Sequence, residues 1–242
     1  MMYWDKINML RRFLRTSWIK TIIFNFSMLP FRQALKLPII LTRYTYMYSL
    51  SGKIIIDDPE VRFGMIRLGY CGEDTLVANA NKTLLKIDGE WRMKGNLHLG
   101  IAVVIRVEKN AKLVTGTNVR ISNMAKIICY DYINIGNNCR IAWESQLIDT
   151  NFHYMRNVET GEISELVRPV IIGNNCWIGN RTSIMKGTEI PDYTIVASGS
   201  LLNKKYDIPT KSLLAGSPAK LIKTGIYRCL DDEEKRIRTD KL

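Results

Sequence analysis

From Ile172 the chain reads IGNNCW, IGNRTS, IMKGTE, IPDYTI, VASGSL: an aliphatic residue opens every sixth position, and a small or compact residue usually follows four places on. The same phase recurs as IGNNCR and IAWESQ from Ile135 and, less regularly, as TGTNVR, ISNMAK and IICYDY from Thr115. A helix needs apolar positions three to four apart, and an amphipathic strand alternates over longer runs, so a period of six means a short extended segment followed by a turn. Three such segments close one triangular coil, each aliphatic residue pointing inward onto its counterpart in the next coil. Gly and Asn at the second to fourth places suit corners that need positive φ or a side chain bonding its own backbone. About six coils are expected from Asn96 to Asn203.

With 242 residues and 46% hydrophobic content, the chain can bury one substantial core plus an appendage. The net charge of +12 asks for an anionic partner without choosing among nucleic acid, a phosphorylated cofactor and anionic lipid. No aromatic-basic motif for nucleic acid accompanies it, so none is expected. The start of the chain is interrupted by charge and resembles no secretory signal, and no apolar run approaches the roughly 18 residues of a spanning helix. The expected location is the cytoplasm. Five cysteines without a CxxC pair read as reduced packing thiols, Cys139 and Cys176 filling small-residue slots of the repeat. Ahead of the coils, Trp4, Ile7, Leu10, Leu14, Trp18 and Ile22 recur at helical spacing with Lys6, Arg11, Arg12, Arg15 and Lys20 on other faces. Residues 3–24 therefore predict a basic amphipathic helix, packed on the solenoid or a neighbouring subunit, or laid on the inner face of an anionic membrane.

The repeats resemble the hexapeptide-repeat acyltransferases. In RPVIIGNNCWIGN, IMKGTEIPD, VASGSLLNKKYDIP and LLAGSPAKLIK they are similar to the galactoside and maltose O-acetyltransferases of that superfamily nearly rung for rung, over residues from about 113 to 224. The resemblance implies an all-β solenoid, a left-handed parallel β-helix; periodicity alone is silent on handedness. The expected organisation is an N-terminal amphipathic helical segment over 1–51, a β-helix domain over 52–224 with a loop at 149–169, and a charged helix or tail over 225–242. The front half, FNF, LPF and KLPI ahead of GKIII and GMIRLG, also resembles transferases of bacterial surface-polysaccharide clusters. That moves the expected acceptor toward a sugar hydroxyl on a polysaccharide precursor.

In the resembling enzymes a loop interrupts the coils, carries a histidine near its start and returns through an Arg/Lys-Pro-Val step; here the corresponding pieces are His153, Arg156, Gly161, Arg168 and Pro169. By this similarity His153 is a general base that deprotonates an acceptor hydroxyl as it attacks acetyl-CoA. A thioester is already activated, so transfer needs a base with a pKa near the working pH rather than a protein nucleophile. An oxyanion donor is expected at a backbone N–H near Trp177 or Asn180. Asp149 orients the imidazole, contacts acceptor hydroxyls or caps the loop's own turn; Asn151, Trp143, Glu144 and Arg156 are acceptor-side candidates. The resemblance carries cofactor contacts onto Asn180, Ser198, Asn203, Lys204, Lys220 and Lys223, the last two at basic positions near the adenosine 3′-phosphate, while Trp177 caps a coil corner or lines the acyl end of the cofactor site. The family often has Ala at the place of Ser198 and Thr at that of Asn203. It also implies a homotrimer with the coenzyme between adjacent prisms.

Other activities on this scaffold are an N-acetyltransferase for an amino-sugar nucleotide and a non-catalytic scaffold. A serine acetyltransferase opens with a longer helical domain than this chain offers. A zinc enzyme of this fold requires three histidines, and this chain has His98 and His153 alone, so no metal is expected.

Overall fold

The structure, a computed structural model, describes residues 13–70 and 82–230. The six-residue rhythm becomes a three-faced prism, because consecutive short strands land on successive faces and each pairs in parallel with the strand one coil away. Trp177 lies beside Ile195 and Ile195 beside Leu213, each pair eighteen residues apart, which is three hexapeptides per coil. The first face runs through Ile39–Leu41, Ile66–Leu68, Leu97–Leu99, Val119–Ile121, Arg140–Ile141, Trp177–Ile178, Ile195–Val196 and Ser212–Gly216. It ends on an antiparallel strand, Ala219–Thr224, which folds back over the last coil. The second face has seven strands from Thr45–Ser49 to Leu201–Leu202, and the third has six from Lys53–Ile56 to Glu189–Ile190. The architecture is a left-handed parallel β-helix.

The interior is a set of aliphatic stacks. On the second face Ile127, Leu147, Ile184 and Leu202 follow one another in register and are all buried. Each such side chain removed from water contributes about 1.5–3 kcal/mol, so the repeat stabilises itself coil by coil. At one corner Asn118, Asn138 and Asn175 take positive φ (54°, 57° and 58°). Their amides form a ladder, Asn118 Nδ2 donating to Asn138 Oδ1 at 3.0 Å and Asn138 Nδ2 to Asn175 Oδ1 at 3.1 Å. Next to this ladder a Cβ on Gly136 would lie 2.6 Å from the backbone of Gly173, so glycine lets the coils close up there. Cys139 and Cys176 are buried, their sulfurs 3.1 Å from the Gly173 carbonyl and 3.3 Å from that of Pro191. Cys71 lies outside the described residues.

Charges on two faces are matched. On the second face Lys86 pairs with Asp88 and Glu108, and Arg106 also reaches Glu108; on the third, Lys53, Arg92 and Lys112 surround Glu90.

The front end departs from the sequence expectation in two ways. Coiling begins at Ile39, thirteen residues ahead of the expected boundary at 52, and Thr45–Ser49 already belongs to the second face. The expected helix over 3–24 is also interrupted: residues 13–15 are helical, Thr16 makes an antiparallel bridge to Thr42, and helix α1 then spans Trp18–Met28, followed by α2, Phe31–Ala34. Residues 3–12 of that helix lie outside the described residues. Helix α1 buries Thr21, Phe24 and Asn25, while Ile19 (75% exposed), Ile22, Ile23 and Phe26 face outward with Phe31 of α2. The polar pair faces the prism because the first strand of a β-helix presents unpaired backbone N–H and C=O groups that only a polar side chain can satisfy. At the other end residues 225–229 are non-helical, and residues 231–242 of the expected C-terminal helix or tail lie outside the described residues.

Candidate active site

The rhythm stops after Gln146–Ile148 of the second face and resumes at Val170–Ile172 of the third, so the intervening loop leaves one edge of the prism. It is an antiparallel ribbon. Thr150 pairs with Val167 at its root and Arg156 with Ile163 further out, and the Asn157 N–H donates to Glu162 across the tip at 2.8 Å. The root is fixed from below: Asp149 is fully buried, and its two carboxylate oxygens accept the N–H groups of Tyr130 and Asp131, each at 2.8 Å. Burial pushes its pKa up, while those backbone donors pull it down. Of the roles open to Asp149, the contacts describe the capping one, on the turn of the preceding coil; no acceptor can reach this carboxylate.

Above that root Phe152 takes φ +64° and sets its ring edge-on to Tyr130, centroids 5.5 Å apart. His153 follows directly and is exposed, with no hydrogen bond to any described residue. Arg156, an acceptor-side candidate, donates instead from Nη1 to the Gly161 carbonyl at 2.9 Å, tying up the ribbon's tip. Asn151 contributes its N–H to the Leu166 carbonyl at 3.1 Å. Glu165 and Arg168, paired at 2.7 Å, close the far side of the ribbon, with Arg168 packed over Gly187.

The remaining acceptor-side candidates and the cofactor candidates distribute over the prism by face. Trp143, Glu144, Asn180 and Ser198 sit on the edge between the first and second faces, where the Ser198 hydroxyl donates to Asn180 Oδ1 at 2.6 Å and Glu144 pairs with Arg181 at 2.5 Å. Trp143 and Trp177 are each 40% exposed. Asn203 and Lys204 leave the second face on the same edge as the His153 loop, with the Lys204 ammonium 5.6 Å from the Tyr206 ring. Lys220 and Lys223 stand exposed on Ala219–Thr224. Of the two backbone groups expected as oxyanion donors, the Trp177 N–H is taken by the Thr194 carbonyl at 3.0 Å, whereas the Asn180 N–H bonds no described residue. A contact the sequence hid is Arg228, whose guanidinium lies 5.5 Å from the Trp177 ring centroid. Arg228 falls in the expected charged tail, and only the chain's return over the last coil brings it there.

The description bacterial transferase hexapeptide (six repeats) matches residues 169–204, which run from the return of the loop through the Asn180–Ser198 edge to Lys204. Residues 169–204 therefore resemble the repeats of this hexapeptide family. The polysialic acid O-acetyltransferase of Escherichia coli O1:K1 / APEC is 28% identical over 150 residues, which cover 57% of this chain and 48% of that relative. The galactoside O-acetyltransferase of Escherichia coli strain K12 is 34% identical over 117 residues, covering 45% of this chain and 55% of the relative. The chain thus spans about half the length of these curated relatives. The solved polysialic acid O-acetyltransferase OatWY shares the fold, with a TM-score of 0.52 at 22% identity over 80% of this chain and 98% of that one.

Proposed function

We propose that this chain is an acetyl-CoA-dependent O-acetyltransferase that modifies a sugar hydroxyl, on a bacterial surface-polysaccharide precursor, and works as a homotrimer. The observation that carries this is the separation of the two half-sites. His153 projects from the edge between the second and third faces, while the Asn180–Ser198 pair lies on the edge between the first and second. A strand of three to four residues, roughly 10–13 Å at about 3.3 Å per residue, stands between these edges. A threefold arrangement of identical prisms sets one subunit's His153 edge against the next subunit's Asn180 edge, and completes three equivalent sites.

The residues present fit the cosubstrate. Lys220 and Lys223 are exposed and pair with no carboxylate among the described residues, which suits phosphate groups. Acetyl-CoA, when bound, supplies an acetyl group already activated as a thioester. His153, free of any partner that would fix its imidazole elsewhere, takes the proton of the acceptor hydroxyl as its oxygen attacks, then returns it to the departing thiol. The Asn180 N–H is the open backbone donor for the negative charge that develops on the carbonyl oxygen. Asp149 acts only on the loop's footing.

A peripheral contact with an anionic membrane belongs to the same proposal. The apolar face of α1 and α2 is uncovered, and between Asp5 and Asp57 the chain carries nine Lys and Arg residues and no acid. Apolar side chains ringed by cations suit an anionic lipid interface. No helix among the described residues is long and apolar enough to cross a membrane, so this contact would lie on the surface.

The test is a screen of sugar nucleotides and lipid-linked glycans with acetyl-CoA, reading free thiol and an alkali-labile acetyl product. His153→Ala should lower turnover at least about a hundredfold with the oligomer intact. Near-normal turnover in that variant removes His153 from the mechanism, and no transfer to any saccharide removes the activity.

A further inference from the structure

The first face differs from the other two in its charge. Its outward positions form a single in-register row, Arg67 beside His98, His98 beside Arg120, Arg120 beside Arg140, and Arg140 beside Trp177. The residues flanking each of them along the strands, such as Ile66, Leu68, Val119 and Ile121, point into the core, so the row lies on the outward side of the strands, where Arg140 is covered and Arg67 and Arg120 are exposed. Neighbouring strands lie about 4.8 Å apart, which puts three arginines and a histidine on a line of about 14 Å, with Trp177 at its end. None of the strands of this face contains Asp or Glu. Arg67 and Arg120 are exposed and pair with no carboxylate among the described residues; Arg67 Nε donates only to the Gly64 carbonyl, at 3.3 Å. On the second and third faces, by contrast, each such cation row is neutralised by Glu108 with Asp88 or by Glu90.

Like charges on directly opposed strand positions repel, so an unneutralised row is a cost to the fold unless something outside the chain offsets it. Arg140 shows what structural anchoring looks like: it is buried, and its guanidinium is held by the Asn118 carbonyl and side chain. Arg67 and Arg120 have no such anchorage. They flank His98 across an open depression of about 250 Å³, floored by Leu97 and Val119 and bordered by the amides of Asn96 and Asn118. Guanidinium groups fork onto carboxylate and phosphate oxygens, and side-chain amides bond sugar hydroxyls, so the lining matches an acidic sugar rather than a bare ion.

We infer that the Arg67–His98–Arg120 row is a binding site for the anionic groups of the saccharide substrate, and that it aligns this substrate along the first face toward Trp177. The inference rests on the acetyl-transfer reading for its substrate class and on the face itself for its location. The row ends at Trp177, three residues before Asn180, so a saccharide held on it runs along the face that borders the edge where the reacting groups are expected to meet. The anion has two sources within that chemistry, carboxylates repeated along an acidic glycan or the diphosphate that joins a sugar to its carrier.

The test measures binding in place of turnover. Titrations of the full chain with polygalacturonate, inorganic pyrophosphate and neutral dextran separate the sources, and each is repeated on Arg67→Gln/Arg120→Gln, whose exposed side chains leave the core untouched. At least one anion should bind more than tenfold tighter than dextran, weaken with added salt, and lose at least tenfold in affinity in the double variant. Preference for polygalacturonate identifies a glycan chain, and preference for pyrophosphate identifies a diphosphate head. Equal binding of dextran, or anion binding unaffected by the double substitution, overturns the site. Anion binding that persists in a protein unable to transfer acetyl groups sinks the proposed activity and leaves this site standing.

Discussion

One side-chain amide, that of Asn25, satisfies both backbone groups of Ile39: its Nδ2 donates to the Ile39 carbonyl at 2.7 Å, and its Oδ1 accepts the Ile39 N–H at 3.1 Å. The Thr21 hydroxyl does the same for the Leu41 N–H at 3.1 Å. Helix α1 therefore does for the first strand what a further coil would do. Asn25→Ala should orphan two buried backbone groups and lower stability by about 2–4 kcal/mol, read as a shifted urea midpoint at unchanged slope. A loss below about 0.5 kcal/mol would show that the first coil does not depend on this cap.

The proposed function divides footing from chemistry between Asp149 and His153. Asp149→Ala removes the acceptor of two buried N–H groups and should cost about 2 kcal/mol or more. His153→Ala removes an exposed ring and should leave the urea midpoint within about 0.5 kcal/mol of wild type. Equal destabilisation by the two substitutions would contradict this division.

Acid should unfasten the outer faces before the core. The hydrogen bond from Lys53, joined by those from Arg92 and the charge of Lys112, draws Glu90 down from 4.5 to about 2. The hydroxyls of Ser49 and then Ser51 draw Asp88 from 3.8 to about 2. Both carboxyls are more acidic folded than unfolded, so the stability they contribute is full above about pH 4.5 and is lost as pH falls toward 2. Glu90→Gln should therefore be less stable than wild type at pH 6, with the gap closing by pH 2.5. A gap that widens on acidification would reverse the assigned sign.

A site shared between subunits predicts complementation. His153→Ala chains mixed with Ser198→Trp chains, each inactive alone, should recover about a quarter of wild-type activity after subunit exchange, because one interface in four then joins two intact edges. No recovery in demonstrably mixed oligomers would place both groups in one chain's site.

The uncovered face of α1 predicts flotation with vesicles containing phosphatidylglycerol, weaker with phosphatidylcholine alone. Ile19→Asp/Ile23→Asp, both at outward positions, should abolish flotation without shifting the thermal midpoint by more than about 2 °C. Flotation that survives the double substitution would move the contact elsewhere.

The rhythm from Ile172 to Leu201 was enough to give the prism, since each hexapeptide there carries its own inward residue and its own corner. It did not reach the coils before Asn96. There Trp91 and Met93 fill inward places, the Trp91 indole N–H turned to the Thr115 hydroxyl at 3.3 Å, and bulky residues hide the aliphatic beat. The helix departs from its expected packing for a related reason. Apolar spacing marks the face a helix buries against an apolar surface, but α1 meets a strand edge, whose open hydrogen bonds select Thr21 and Asn25. For the proposed site, motif resemblance is what points to His153 and the Asn180–Ser198 edge. The Arg67–His98–Arg120 row was not, because its members lie more than twenty residues apart and become neighbours only through the register of three coils.

The paired root of the loop has a consequence for how such chains diversify. Thr150 against Val167, with the Asp149 carbonyl taking the Arg168 N–H at 3.0 Å, closes the ribbon where it meets the prism. Anything beyond that clasp can lengthen, shorten or change composition without disturbing the stacking beneath it. Selection can therefore exchange this exposed segment as a cassette while the stacked coils beneath it are inherited unaltered.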